Sequence, residues 1–136
     1  MNYTESPVLH IENLHTHFHA REGLVKALNG VDLSLKKNTI LGLVGETGSG
    51  KSVLSLSILR LIPYPGEIIE GSVFFEGRNL MNLPEDEMLG VRGRDVAMIF
   101  QDARGSLNPI ERIGDQISEA FRAHSAMSIN QAVDRT

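Results

Sequence analysis

Apolar and polar positions along this chain change period several times, and each change predicts an element. VLHIENLHTHF, residues 8 to 18, has apolar residues recurring at short spacing and predicts an extended segment, with AREG at 20–23 as a turn. Val31, Leu33 and Leu35 then alternate with Asp32, Ser34 and Lys36, the period of a half-buried strand. A tight turn is expected at residues 36–38, because Asn38 tolerates positive φ better than most residues. Two runs do not alternate: ILGLV at 40–44 and VAMIF at 96–100. Continuous apolar runs of this kind predict strands covered on both faces, as in a parallel sheet. KSVLSLSILRLI, residues 51–62, is apolar nearly all round and predicts a buried helix that PYPG terminates.

EGSVFFEG, residues 70–77, predicts a further strand between turns. Pro84 followed by Glu85, Asp86 and Glu87 reads as a helix first turn, with acidic groups at the positive end of the dipole. Ile110, Ile113, Ile117, Phe121 and His124 fall on one face of a helix. Ser128 with Gln131 is a capping-box pattern that announces another helix. The sequence ends at Thr136, about two turns later, so a fragment is expected rather than a finished domain.

Composition narrows the picture little. The chain has 136 residues, 41% apolar and 22% charged, enough for one domain with a real core. A net charge of −4 gives no electrostatic reason to expect nucleic acid as a partner. The absence of cysteine excludes disulfides and thiolate metal sites. The opening MNYTESPVLH lacks the blocks of a signal peptide, and no apolar run approaches the roughly 20 residues that cross a bilayer. A soluble or peripheral protein is the expectation.

The chemistry concentrates at GETGSGKS, residues 45–52, which fits G-x-x-x-x-G-K-[ST] at Gly45, Gly50, Lys51 and Ser52. A loop that wraps a phosphate must turn consecutive backbone N–H groups inward, and glycines permit that path. The candidate cradle is Gly45, Glu46, Thr47, Gly48, Ser49, Gly50, Lys51, Ser52 and Val53. The following helix aims its N-terminal amides at the same anion. Lys51 is expected to reach the β- and γ-phosphates, and the Ser52 hydroxyl to ligate Mg2+. Kinases, GTPases and motor ATPases share such a loop, so it does not name the reaction.

A second candidate is Gln101, at the end of VAMIF, where α/β sheets carry functional groups. With it, the pieces IENLHTHF, VKALNGVDLSL, LGLVGETGSGKSVLSLSILRLI, GSVFFEGRNL, RGRDVAMIFQD and SLNP run in order across nearly the whole chain. The sequence resembles the N-terminal part of an ABC transporter ATPase, in the branch of dipeptide and oligopeptide importers. That resemblance implies an α/β P-loop NTPase fold, with an N-terminal antiparallel β subdomain (residues near 8–36 and 70–77) and a partial core sheet. The core holds strands 40–44 and 96–100 with helix 51–62, and residues beyond about 103 begin a helical subdomain facing a membrane partner. It also implies ATP and Mg2+ as cofactors. Gln101 becomes the Q-loop glutamine, near magnesium and the attacking water. Phe18 falls where the family keeps an aromatic ring that stacks on adenine.

The implied working unit is two ATPase subunits, identical or not, beneath transmembrane permease subunits at the cytoplasmic face of the membrane, fed by an extracytoplasmic solute-binding protein. Three departures stand out: Asn38-Thr39 where the family usually has Gly-Glu, Thr47 for Ser, and Ala103-Arg104-Gly105 for a more usual Pro-Met-Thr.

The resemblance covers residues 1–136 as the N-terminal part of one ATPase domain, with Walker A and the Q-loop. It lacks the LSGGQ signature, a Walker B strand ending in Asp-Glu and a switch histidine. Asp86-Glu87 follows NLPE instead of an apolar strand, and His124 is expected to be packed rather than catalytic. The chain alone is therefore expected to bind ATP without turning it over, and a longer parent to hydrolyse it. Rival readings are another P-loop enzyme (kinase or GTPase, although no Asn-Lys-x-Asp guanine reader occurs) and a non-hydrolysing nucleotide-binding fragment. His15, His17 and His19 alternate in a way compatible with a zinc or nickel site, although an exposed strand face explains them as well. Arg92 and Arg94 read as a solvated turn rather than a phosphate contact.

Overall fold

Leu9–Ala20 forms β1 and Gly23–Leu35 forms β2, an antiparallel hairpin whose arms are twice the usual strand length. A computed structural model describes residues 6–21, 23–102, 105–125 and 127–135. Glu22 of the expected turn, and Ala103 and Arg104 of the departure after the glutamine, lie outside the described residues. The chain divides into two units, Met1–Glu85 and Asp86–Thr136.

In the first unit, β3 (Gly66–Phe75) pairs antiparallel with β1, and the short β4 (Arg78–Asn79) pairs with β3, giving the order β2-β1-β3-β4. Strict alternation along β1 would send Ile11 and Leu14 to opposite faces. The register instead slips between them, at Asn13 with φ 47°, and both side chains are fully buried. Asn13 secures this bulge by donating its backbone N–H to Asp32 Oδ1 at 2.8 Å and its side-chain amide to Glu70 Oε1 at 2.9 Å. Ile11, Leu14, Leu28, Leu54, Leu59, Val73 and Leu80 form the core here. Each fully buried aliphatic contributes about 1.5–3 kcal/mol. By the same alternation His10, His15, His17 and His19 stand on the opposite face of β1.

α1 is Lys51–Ile58, shorter than the expected 51–62. It ends in a Schellman motif: Leu61 N donates to Leu56 O at 2.9 Å and Arg60 N to Ser57 O at 3.1 Å. The left-handed position belongs to Arg60, φ 53°, where glycine is usual. Its guanidinium repays the strain by donating to Leu83 O at 2.6 Å and Leu80 O at 3.3 Å, next to Glu85 at 3.5 Å. Those carbonyls belong to and follow a 3-10 turn at Leu80–Asn82. Asn38 takes the positive φ expected of it, at 56°.

The two continuous apolar runs correct the sequence reading. Residues 40–44 form no strand, and Ile40 and Val44 are 101% and 93% exposed. Of 96–100 only Val96 pairs, in a single parallel bridge with Arg92, and Ile99 is 94% exposed. A parallel strand needs a partner brought by a long crossover, and among the described residues no strand pairs with these segments. Of the expected core elements, the described residues form the helix and neither strand.

The second unit contains α2 from its second residue onward (Glu85–Val91), then α3 (Ile113–Ala123) and α4 (Ile129–Val133). α2 starts where Pro84 and its acidic run predicted. The Ser128–Gln131 capping box is formed in both directions. Ile110 precedes α3 and His124 caps its end, so the five-residue face is shorter than expected. Ile113, Ile117 and Phe121 on that face remain exposed.

Candidate phosphate-binding loop

Residues 45–50 join the unpaired apolar run to α1. Of these, Gly48 and Gly50 have φ 85° and 91°, while Thr47 and Ser49 do not take positive φ. Alternating handedness turns successive N–H groups to one side, the arrangement of an anion nest. Gly50 is the N-cap, with no side-chain cap bond, and Leu54 N is the first to reach back, to Gly50 O at 2.8 Å. The amides of Lys51, Ser52 and Val53 thus face outward from the helix start with no carbonyl of their own turn to bond.

Sterics restrict this path further. A Cβ on Gly50 would lie 2.7 Å from the Ala27 carbonyl oxygen, and one on Gly45 would lie 2.7 Å from Ser49 Oγ. Ala27 is the extra residue where the β1–β2 register slips, between the Thr16–Leu28 and His17–Lys26 pairs. The bulge and the glycine fit each other, which docks the loop against β2.

Lys51 Nζ donates to Gly45 O and Glu46 O, each at 2.7 Å, and to Ser49 Oγ at 3.0 Å. An ammonium has three protons, so all three are engaged within the loop. The cation is held over the cradle rather than extended into solvent. Ser52 is exposed, and its hydroxyl makes no hydrogen bond among the described residues. Its oxygen is available to a hard cation, as the chemistry of Mg2+ requires.

Phe18 is half-buried on β1, paired with Val25 and Gly66. A Cβ on Gly66 would lie 2.5 Å from Phe18 Cε1 and from Ile62 Cγ2. The missing side chain lets the ring lie across the backbone of β3. Phe18 and the loop thus share the first unit. Gln101 lies in the second unit and is exposed. After it, Asp102 Oδ1 accepts from Gly105 N at 3.2 Å. Gln116 fixes the SLNP segment, accepting from Asn108 N and donating to Asn108 O, both at 2.9 Å.

Several groups outside the loop have plainer roles. Arg94 is tied bidentately to Asp95 at 2.9 and 3.1 Å, which fits the turn reading. The His124 ring lies against Gly93. His15 bonds Asn13 at 2.9 Å, and the His15 and His17 rings meet edge-on at 6.0 Å. No group of three His, Asp or Glu side chains among the described residues is arranged to hold a metal ion. His17 Nε2 is shielded without a hydrogen-bond partner. That desolvation first, and then Lys26, His15 and His19, hold its pKa below the ordinary histidine value.

Sequence reading missed Arg60 and Gln116, whose roles depend on backbone groups outside α1 and α3.

A glycine-built anion nest at a helix start, backed by an antiparallel β-sheet, defines a P-loop nucleotide-binding domain of the ABC type. The ABC transporter family matches residues 28–136, and the chain belongs to that family. A probable peptide ABC transporter ATP-binding protein from Sinorhizobium fredii is 45% identical over 94% of this chain and 38% of its own length. The dipeptide transport ATP-binding protein DppD of Lactococcus lactis is 45% identical over 96% of this chain and 38% of its own. The oligopeptide transport ATP-binding protein OppD of Haemophilus influenzae is 41% identical over 88% and 36%, respectively. The chain therefore spans somewhat over a third of the length of these relatives. Among solved structures, a dimeric bacterial ABC transporter cassette, MJ0796, superposes with TM-score 0.78 at 23% identity, covering 93% of this chain and 53% of that one. A post-hydrolysis form of that cassette, bound to ADP and phosphate, gives 0.75 at 22% identity, with the same coverage.

Proposed function

We propose that this chain is the N-terminal part of one ABC ATPase domain and binds ATP with Mg2+. The observation that carries the reading is the loop itself, with alternating backbone handedness around Gly48 and Gly50 and the Lys51 ammonium held over it. Backbone amides of residues 46–53 would grip the phosphates, with Lys51 neutralising the outer two. For the γ-phosphate to reach Nζ, the Ser49 hydroxyl must yield its bond, while the two carbonyls keep the ammonium in place. Ser52 Oγ would hold Mg2+, which would neutralise phosphate charge. Phe18 would stack on adenine, and Gln101 would act as the Q-loop glutamine.

In a longer parent, ATP hydrolysis would energise import of peptides or related solutes. The partners would be transmembrane permease subunits and a second ATPase subunit, with a solute-binding protein acting indirectly from outside. The location would be peripheral, at the cytoplasmic face of the membrane. No helix among the described residues is long and apolar enough to cross it. The 136-residue chain, without LSGGQ or an apolar strand ending in Asp-Glu, would bind without turnover. Hydrogen exchange tests the binding site: Mg-ATP should slow exchange of the amides of residues 48–53, and unchanged exchange there at saturating ATP overturns the reading.

A further inference from the structure

A polar contact sits inside the apolar core between β1 and α1. Thr16 and Ser57 are both fully buried, and their hydroxyl oxygens are 2.8 Å apart. Ser57 Oγ also donates to Val53 O at 2.7 Å. A serine has one proton to give, so Thr16 is the donor to Ser57. The chain of bonds therefore runs from the sheet, through the helix interior, to the carbonyl of Val53 in the first turn after the phosphate loop.

Its position on β1 gives it meaning. Thr16 and Phe18 are two residues apart with no irregularity between them on the β3 side, where they pair with Ile68 and Gly66. Both therefore stand on the face that α1 covers, about 6–7 Å apart along the strand. Apolar contacts such as those of Leu14 and Leu54 resist separation but permit sliding. A directional bond fixes the register.

We infer that the Thr16–Ser57 hydrogen bond is a positioning device, which sets the phosphate loop at the spacing from Phe18 that an adenine nucleotide requires. This deepens the proposed ATP site and rests on it. Neither hydroxyl touches the nucleotide; both act through α1 and β1.

The test uses the full chain and two ligands, Mg-ATP and Mg-tripolyphosphate, which share the phosphate grip but not the base. Thr16→Val keeps the shape and removes the donor. Thr16→Val combined with Ser57→Ala removes both hydroxyls, so that neither is left buried and unpaired. Each should weaken ATP by roughly three- to tenfold, the range of one hydrogen bond, and leave tripolyphosphate within about twofold. Thr16→Ser should restore the wild-type ratio. An unchanged ratio in both variants, or a parallel loss of the two ligands, overturns the inference. Wild-type protein that binds neither ligand instead removes the nucleotide reading beneath it.

Discussion

Lys51, Phe18 and Arg60 each do something a neighbouring residue type would not. Lys51 closes the cradle with three bonds to its own loop, so its charge is already in place before any anion arrives. Phe18 lies across Gly66, half-buried on β1. Phe18→Ala should weaken ATP by roughly five- to a hundredfold, the range of one base–aromatic stack, with tripolyphosphate unaffected; equal loss of both in titration would contradict stacking. Arg60 combines a left-handed backbone with a guanidinium clamp on Leu80 and Leu83. Arg60→Ala loses the clamp and keeps the strain, whereas Arg60→Gly loses the clamp and relieves the strain. In urea melts the alanine variant should be less stable than the glycine variant by about 1 kcal/mol. The reverse order would mean the φ strain is not felt.

At the scale of elements, local chemistry was legible in the sequence and long-range pairing was not. The loop, the α2 start, the Asn38 turn and the capping box at Ser128 each depend on a few adjacent residues, and each formed where their types predicted. The hairpin extent and the Asn13 and Ala27 bulges depend on partners tens of residues away. ILGLV and VAMIF were misread because apolarity signals burial without supplying the strand that would bury them.

β1 carries a pH response of definite sign. His17 has a folded pKa below its ordinary value, so the unfolded chain binds more protons in the window just below that value. Stability should therefore fall as pH drops from about 6.5 toward the folded pKa, and level off beneath it. His17→Gln should flatten that slope in denaturant melts at pH 7.5, 6.5 and 5.5; an identical slope would assign it to other groups.

At the scale of the whole molecule, surface chemistry stands out. Ile40, Val44 and Ile99 are almost entirely exposed, and apolar surface of this kind associates. Ile40→Lys or Ile99→Lys should raise the concentration at which light scattering first appears, and no gain from either would contradict that origin. The fold class and family were legible because the motifs run in order over most of the chain, and residues 28–136 carry the family match.

Calorimetric titration of folded 136-residue chain with Mg-ATP tests the central claim most directly. The account predicts saturable, one-to-one heat that disappears in Lys51→Ala. Folded protein that releases no heat with ATP, or a Lys51→Ala variant that binds as well as the parent, would contradict it.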